Sequence, residues 1–358
     1  MLSRRRFGAL LAAGLATGFA AASVSTFARD ANAKGGNASP RRLVRPPRLR
    51  HGATVGLIAP GGVVDDAIIQ ACVKNLESLG FTVKLGVNIR AIRGGYAGTI
   101  AQRLKDLHNM FLDREVGAIW AARGGSGCTG LLPHLQSAMI RRHPKILIGY
   151  SDITALHLAL YRQAGLVTFH GPVAWSTFSD YSVNHMLSVL MEPQREYTIH
   201  MSIENERQAA KKPQFAVRTI RAGVAEGRLI GGNLATLCAL IGTPYSADIS
   251  RALLFLEEVS EAPYRIDRLL TQLDQSAGLQ NAAGAILGVF QRATPPDSDP
   301  SLTLDTVIDD HFVSLRMPSV YGYSFGHIAQ QFTLPVGVRA RLDTREQTLT
   351  LLEAAVSA

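Results

Sequence analysis

Residues 145–165, KILIGYSDITALHLALYRQAG, combine the patterns of a strand, a sharp turn and a helix. The apolar, β-branched run at 146–148 is typical of a buried parallel strand, and 153–165 places apolar residues at helical spacing before a glycine. Ser151 stands in the turn, where its hydroxyl would lie at the carboxyl end of the strand, near the first free N–H groups of the helix. Because only half of the pattern G-x-S-x-G is present, Ser151 taken alone is more readily interpreted as a helix N-cap than as a nucleophile.

Strands and helices alternate along residues 50–191. Strand-like runs occur at 54–59, 82–87, 117–122 and 145–149, and helical patterns occur at 65–79 and 100–111. This order predicts an α/β domain with a flavodoxin- or Rossmann-like parallel sheet, whose ligands bind at the carboxyl ends of the strands. Both the Gly124-Gly125 loop and Ser151 lie at such ends.

The pattern changes after residue 191. Residues 192–221 are polar and charged without clear periodicity, which predicts a linker. Beyond them come strand-like runs at 252–256 and 285–290 and a helix near 233–241. We therefore expect residues 222–358 to form a smaller, mixed, β-rich C-terminal domain.

Residues 1–33 have the composition of an export signal. An Arg-Arg-Arg-Phe run at 4–7 precedes an Ala/Gly-rich apolar stretch at 8–28, and Ala-Asn-Ala at 31–33 offers a cleavage site. The adjacent arginines predict twin-arginine export, with an ordinary secretory signal or an uncleaved anchor as alternatives. We expect a flexible lead-in at 34–49 and a mature protein that is periplasmic or secreted, without stable membrane insertion.

Charge and cysteine content narrow the range of partners. The formal net charge is +9, but the basic residues are scattered and form no stripe with interleaved aromatics, so we expect no nucleic-acid partner. The three cysteines, Cys72, Cys128 and Cys238, are too few and too widely spaced for a disulfide framework, and no Cys/His spacing indicates a metal site. We expect no cofactor. Cys128, in the Gly-rich loop, is the one candidate for a reactive thiol.

A nucleophilic serine needs a base, and the base needs a partner that orients it. Among the ten histidines, His170 in TFHGP and His327 in YSFGH stand among turn residues at strand ends. His157 lies in the helix after the serine, where we expect packing, and the others occupy polar or helical contexts. Glu257 and Glu258 end an apolar strand, and strand alternation allows only one of them to face a given site. The sequence pattern alone leaves both choices open.

Several motifs occur together in one order: ARGGSG at 122–127, KILIGYSDITALH at 145–157, TFHGP at 168–172, GRLIGGNLATLCALIGTPY at 227–245, FLEEVSEAPYRIDRLL at 255–270 and FGH at 325–327. In this combination the chain closely resembles the LD-carboxypeptidase family, which also contains the microcin C immunity hydrolases. The resemblance implies a Ser-Glu-His triad shared between two domains: Ser151 of GYSD, Glu257 of LEE and His327 of FGH. It favours His327 over His170 and Glu257 over Glu258.

The chemistry that the resemblance implies needs no metal. Backbone N–H groups of Asp152 and of a glycine in the Gly124-Gly125 loop would hold the oxyanion of the tetrahedral intermediate. Arg123, beside this loop, is a candidate for binding the carboxylate of the substrate, although a structural role in bonding backbone carbonyls is the alternative.

Two positions depart from the family pattern and bear on the substrate. The family often has an aromatic residue where this chain has Ser126, which is also an alternative nucleophile without the strand-to-helix setting, and often an arginine at Gly130. The leading hypothesis is a serine carboxypeptidase that releases terminal D-alanine from murein tetrapeptides in peptidoglycan turnover. The alternatives are an immunity hydrolase of the microcin C type and a non-catalytic murein-peptide-binding protein. Family members are often homodimers, so the resemblance also implies a homodimer.

Overall fold

A computed structural model describes residues 42–295 and 300–358 of the chain. The predicted export signal and the first part of the lead-in lie outside the described residues. Within them, no helix is long and apolar enough to cross a bilayer.

The strands of the described residues, numbered in chain order, are β1 (Thr54–Ile58), β2 (Thr82–Leu85), β3 (Val116–Ala121), β4 (Ile146–Gly149), β5 (Thr168–His170), β6 (Tyr197–Ile199), β7 (Arg218–Arg221), β8 (Val224–Asn233), β9 (Ala252–Glu257), β10 (Gly284–Val289), β11 (Ser319–Gly326), β12 (Leu334–Val336), β13 (Arg339–Asp343) and β14 (Thr348–Leu351). The α-helices are α1 (Asp66–Ser78), α2 (Ile100–Leu112), α3 (Ser137–Arg142), α4 (Thr154–Ala164), α5 (Asp180–Met191), α6 (Ile203–Ala209), α7 (Leu234–Cys238), α8 (Pro263–Ala277) and α9 (Leu304–Phe312). Short 3₁₀ helices occupy Cys128–His134, Ser151–Ile153, Pro213–Phe215 and Leu279–Asn281.

The first sheet has the strand order β12-β5-β4-β3-β1-β2. Its strands β1 to β5 are all parallel, and β12 pairs antiparallel with β5 at one edge. The central strands β3 and β4 are almost wholly buried, as expected for apolar strands that are covered on both faces. The prediction of a parallel α/β sheet is therefore confirmed.

The second sheet has the strand order β6-β14-β13-β8-β9-β10-β11-β7. Its centre, from β8 to β11, is parallel, and the flanking strands are antiparallel. This mixed sheet agrees with the β-rich C-terminal architecture that the sequence predicts. The buried apolar residues of both sheets belong mainly to one continuous core.

Two predicted connecting segments are ordered parts of this fold. Residues 192–221, predicted as a linker, contain β6 and β7 at the two edges of the second sheet, with α6 between them. These strands are short and half-exposed, so their apolar alternation is too weak to be seen in the sequence. In the lead-in, Val44 bridges Leu166 and Pro47 bridges Ser357, so residues 44–47 are held against the fold and are not a flexible tether.

The carboxyl ends of the two parallel regions meet. The backbone N–H of Asn233, at the end of β8, donates to the Thr154 hydroxyl at the start of α4, with 3.0 Å between nitrogen and oxygen. Gly232 has φ +139°, and a Cβ there would lie 2.5 Å from the side chain of Thr154. Only glycine permits this approach. The loops that follow β3 and β4 therefore lie close to the ends of β8 and β9.

Candidate active site

Ser151 occupies a strained turn between β4 and α4. Its φ is +65°, in the left-handed region that non-glycine residues rarely adopt. It opens the 3₁₀ turn Ser151–Ile153, and no side chain caps either this turn or α4. The interpretation of Ser151 as a helix N-cap is therefore wrong. A strained serine at the carboxyl end of a buried parallel strand has the geometry of a nucleophile elbow.

The Gly-rich loop after β3 packs directly on this serine. A Cβ at Gly124 would lie 2.7 Å from the Cβ and 2.9 Å from the Oγ of Ser151, so only glycine fits. The Gly62 N–H donates to the Gly124 carbonyl at 2.8 Å and fixes the loop. Among the described residues, no backbone carbonyl accepts a hydrogen bond from the N–H of Gly124, Gly125 or Asp152. These amides beside the serine are free to bind an oxyanion.

The side chain of Asp152 forms a hydrogen bond with the same loop. Its Oδ2 accepts from the Cys128 N–H at 2.9 Å, and burial raises the pKa of this carboxyl above its usual value. Asp152 therefore offers its backbone amide, not its carboxylate, to the site. Cys128 is fully buried, and burial followed by the charge of Asp152 raises the pKa of its thiol well above the usual value. A reactive cysteine needs exposure and a low pKa, so Cys128, the one candidate among the three cysteines, does not have the setting of a reactive thiol.

Glu257 and His327 form a close pair at the ends of β9 and β11. The Nδ1 of His327 lies 2.7 Å from the Oε2 of Glu257, whose side chain is fully buried. Burial alone would raise the pKa of Glu257, but the charge and hydrogen bond of His327 outweigh it and hold that pKa below its usual value. Burial alone would likewise lower the pKa of His327, yet the charge of Glu257 raises it. The pair therefore stabilises an imidazolium ion.

Glu258 makes no hydrogen bond to His327 and is bonded to other groups. Its carboxylate accepts from Asn233 Nδ2 at 2.9 Å and from the Ala235 N–H at 2.8 Å, at the start of α7. Burial, followed by the charge of Glu257, raises the pKa of Glu258 to about 7. Of the two glutamates, Glu257 is the one that contacts His327.

The other candidate base, His170, is a core residue. It is fully buried, and neither ring nitrogen has a hydrogen-bond partner among the described residues. Burial lowers the pKa of His170 to about 4, and its ring packs edge-on against Phe255 at 5.4 Å between ring centroids. His157 is also buried, with its Nε2 2.9 Å from the Gly149 carbonyl oxygen, so the expectation of packing is confirmed.

Tyr150 joins the two halves of the site. Its ring meets that of His327 in a T-shaped arrangement with 4.7 Å between centroids. Ser151 follows Tyr150 directly in the chain. In the described part of the chain, His327 makes its side-chain hydrogen bond through Nδ1, to Glu257. Its Nε2 is left available to a proton donor.

Arg123 and Trp175 lie beside the Gly-rich loop. The Arg123 guanidinium lies 5.6 Å from the centre of the Trp175 ring, and Trp175 is 50% exposed. The Nη1 of Arg123 is 3.4 Å from the Val63 carbonyl oxygen, which is a weak contact, and Arg123 forms no ion pair with a described residue. Trp175 is not among the site residues that the sequence predicts, although it closely follows the strand-end motif TFHGP. No group of three metal-ligating side chains is brought together anywhere in residues 42–295 or 300–358.

The fold and the chemistry of this interface place the protein among α/β hydrolytic enzymes. Comparison with known families makes this specific. Residues 55–171 match the LD-carboxypeptidase N-terminal domain, and residues 226–342 match the LD-carboxypeptidase C-terminal domain. The chain belongs to the LD-carboxypeptidase family, as the sequence motifs predict.

Individual relatives span almost the whole chain. A probable murein peptide carboxypeptidase from Bacillus subtilis is 37% identical over 318 residues, which cover 87% of this chain and 95% of the relative. A murein tetrapeptide carboxypeptidase from Pseudomonas aeruginosa is 32% identical over 81% of this chain and 92% of its own length. Among solved structures, an MccF-like protein from Bacillus anthracis superposes with a TM-score of 0.76 at 29% identity, over 87% of this chain and 100% of that protein. MccF is a microcin C7 self-immunity protein.

Proposed function

We propose that the protein is a serine-type LD-carboxypeptidase that removes the terminal D-alanine from murein tetrapeptides during peptidoglycan turnover. The observation that carries the proposal is the 2.7 Å pair between His327 and Glu257, whose histidine ring packs on Tyr150, the residue before the strained Ser151. A base, its orienting carboxylate and a serine on separate elements suit nucleophilic acyl transfer. The names of the Bacillus and Pseudomonas relatives support murein peptides as the substrate class.

In the proposed reaction, the Oγ of Ser151 attacks the carbonyl of the bond between the L-centre and D-alanine. The Nε2 of His327 accepts the serine proton and then returns it to the leaving amine, while Glu257 stabilises the imidazolium. Water, activated by the same histidine, hydrolyses the acyl-enzyme and releases the shortened peptide.

The groups beside the serine complete the mechanism. The free N–H groups of Asp152 and of Gly124 or Gly125 would stabilise the tetrahedral oxyanion. Arg123 is a candidate for the terminal carboxylate of D-alanine, because it adjoins Gly124 and forms no ion pair with a described residue. The alternative role of bonding backbone carbonyls has only the long contact to Val63 in its favour.

The site of action and the assembly belong to the same proposal. A twin-arginine signal in residues 1–33 would deliver the folded enzyme to the periplasm or beyond, where murein is found. The homodimer that the family resemblance implies stays a prediction.

Hydrolysis of purified murein tetrapeptide, followed by mass spectrometry, tests the proposal. We expect the wild type to release D-alanine and Ser151→Ala to be inactive, whereas the matched control Ser126→Ala keeps the activity. If Ser126→Ala is the inactive variant, the assignment of the nucleophile is wrong. Binding of the tetrapeptide without turnover by the wild type would support a non-catalytic binding protein instead.

One observation favours a second candidate, an immunity hydrolase of the microcin C type. Such an enzyme needs an aromatic surface for a nucleobase, and the exposed ring of Trp175 lies beside Arg123 near the proposed oxyanion amides. Incubation with an aminoacyl-sulfamoyl adenosine, and growth protection against it, would distinguish the two. Trp175→Ala should abolish the protection if the ring is the nucleobase platform.

A further inference from the structure

A cationic cavity borders the Gly-rich loop at Gly127. It has a volume of about 320 Å³ and lies between the start of α2 and the 3₁₀ segment Cys128–His134. Its lining includes Arg93, Tyr96, Arg103, Thr129 and Gly130. We call this cavity the arginine pocket.

Arg103 in this pocket is a buried cation that forms no direct ion pair with a described residue, although its charge interacts with the carboxylate of Asp152. It is only 4% exposed, and its Nη1 donates to the carbonyls of Pro60 at 2.8 Å and Gly127 at 3.0 Å. Its Nε has no hydrogen-bond partner, and the guanidinium forms no ion pair, among the described residues. The Tyr96 ring, 5.2 Å from its Cζ, packs against the guanidinium. Burial of a charge that forms no direct ion pair is costly, and binding of an anion relieves that cost.

A second cation and a polar rim complete the pocket. Arg93 is exposed at its edge and, like Arg103, pairs with no carboxylate in the described part of the chain. Thr129 is exposed on the same lining and offers a hydroxyl. The nearby carboxylate of Asp152 is already bonded to the Cys128 N–H. The pocket thus presents two guanidinium groups and no free acidic group among the residues named.

Gly130 keeps the pocket open. A Cβ at this position would meet only the Ile100 side chain, at 3.6 Å, which is an ordinary van der Waals contact. The residue has no positive φ that would demand glycine. A larger side chain can therefore be introduced without backbone strain, and it would occupy part of the cavity.

We propose that the arginine pocket binds a carboxylate of the murein peptide on the acyl side of the bond that is cleaved. The inference rests on the proposed function. The carboxylate of the terminal D-alanine is only one residue from the reacting carbonyl, which suits Arg123 next to Gly124. The pocket borders Gly127, three residues further along the loop, which corresponds to as much as about 10 Å of extended chain. Two carboxylates of the peptide lie further from the reacting carbonyl than the carboxylate of D-alanine does. They are the α-carboxylate of γ-linked D-glutamate and the side-chain carboxylate of meso-diaminopimelate.

Steady-state kinetics on three substrates tests the pocket. The substrates are the tetrapeptide and two derivatives, each amidated at one of these two carboxylates. We expect Arg93→Gln and Gly130→Leu to raise KM for the tetrapeptide about tenfold, the loss of one charge-assisted hydrogen bond, with kcat changed less than about twofold. The derivative that lacks the bound carboxylate should show the raised KM with the wild type, and no further rise with Arg93→Gln. This pattern identifies which carboxylate is bound.

The matched control is Arg114→Gln, which removes one exposed positive charge that is not part of the pocket lining. Thermal melting of each variant verifies that it is folded. The pocket proposal is overturned if Arg93→Gln and Gly130→Leu leave KM for the tetrapeptide unchanged, or if Arg114→Gln raises KM as much.

A binding measurement separates this proposal from the proposed function. Calorimetric titration of Ser151→Ala with the product tripeptide, with and without Arg93→Gln, needs no turnover. If the wild type fails to hydrolyse the tetrapeptide but Arg93→Gln still weakens tripeptide binding about tenfold, the proposed function fails and the pocket assignment stands. Absence of tripeptide binding, or binding that Arg93→Gln does not weaken, overturns the pocket assignment.

Discussion

Replacement of Glu257 by glutamine tests the proposed base most directly. Glu257 is fully buried, and its Oε2 lies 2.7 Å from the Nδ1 of His327. Glu257→Gln keeps the size and shape of the side chain but removes its charge. An amide N–H₂ that donates to Nδ1 would force the ring proton onto Nε2, which then cannot accept the proton of Ser151. The substitution also removes the charge that stabilises the imidazolium.

The expected loss follows from the two ways in which the amide can sit. In serine triads generally, removal of the orienting carboxylate lowers kcat about 10⁴-fold, or about 5 kcal/mol in activation free energy. Here the Oε1 of Glu257 has no hydrogen-bond partner among the described residues, so the amide can also turn its oxygen towards Nδ1, which preserves the correct tautomer. Only the charge is then lost. We therefore expect kcat to fall at least about 100-fold and at most about 10⁴-fold.

The assay is initial-rate release of D-alanine from murein tetrapeptide, with Glu258→Gln as the matched control. Glu258 is the neighbouring buried carboxylate, and it bonds Asn233 and Ala235 instead of the histidine. Its variant should retain activity within about tenfold, with both variants folded by circular dichroism. If Glu257→Gln keeps more than about a tenth of the activity, or if Glu258→Gln is equally impaired, the proposed role of Glu257 is refuted.

Three further predictions concern pH and packing. First, kcat/KM should rise with pH through an apparent pKa above the ordinary histidine value, because neutral His327 is the base and the charge of Glu257, acting against burial, raises its pKa; a pH–rate profile with an inflection below that value would contradict this. Second, Gly124→Ala should lower kcat/KM at least about 100-fold without unfolding the protein, because its Cβ would lie 2.7 Å from the Cβ of Ser151; undiminished turnover would show that the loop is not part of the site. Third, burial lowers the pKa of His170 to about 4 and of His157 to about 3, so each contributes stability that is complete above the unfolded-state value near 6.5 and is lost as pH falls towards those folded-state values. Protonation of Glu258, whose pKa burial raises to about 7, acts in the opposite direction over the same range, so the test compares two proteins. The free energy of unfolding in urea of the wild type minus that of His170→Phe should fall by about 2 kcal/mol between about pH 7 and pH 5.

The strongly apolar elements of the fold are predictable from the sequence. Strand β1 was expected at 54–59 and spans Thr54–Ile58, and β4 was expected at 145–149 and spans Ile146–Gly149. These strands are buried, so their apolar composition reports their position directly. The edge strands β6 and β7 and the antiparallel β12 are held by pairing with distant strands, and local composition does not encode that pairing.

The candidate site likewise has parts that the sequence predicts and parts that it does not. Alternation along β9 predicts that Glu257 and Glu258 face opposite directions, which is a local property of the backbone. The choice between His170 and His327 depends on burial, since both stand after strands among turn residues, and the structure shows that only His327 has a carboxylate partner. Trp175 and the arginine pocket depend on loop packing, for which the sequence has no periodic signal.

Pairing between strands from the two halves of the chain explains how a site divided between those halves can keep one geometry. Strand β12 comes from the C-terminal half, yet it pairs with β5, with Leu334 opposite His170. In turn, Gly149 of β4 pairs with His170, and the nucleophile elbow follows two residues later. His327 stands seven residues before Leu334, so a short, hydrogen-bonded path links the proposed base to the strand that carries Ser151. We expect this backbone pairing and the contact of Thr154 with Asn233 to hold the serine in place relative to the histidine, so a substitution that disturbs either should lower kcat without touching a reacting group.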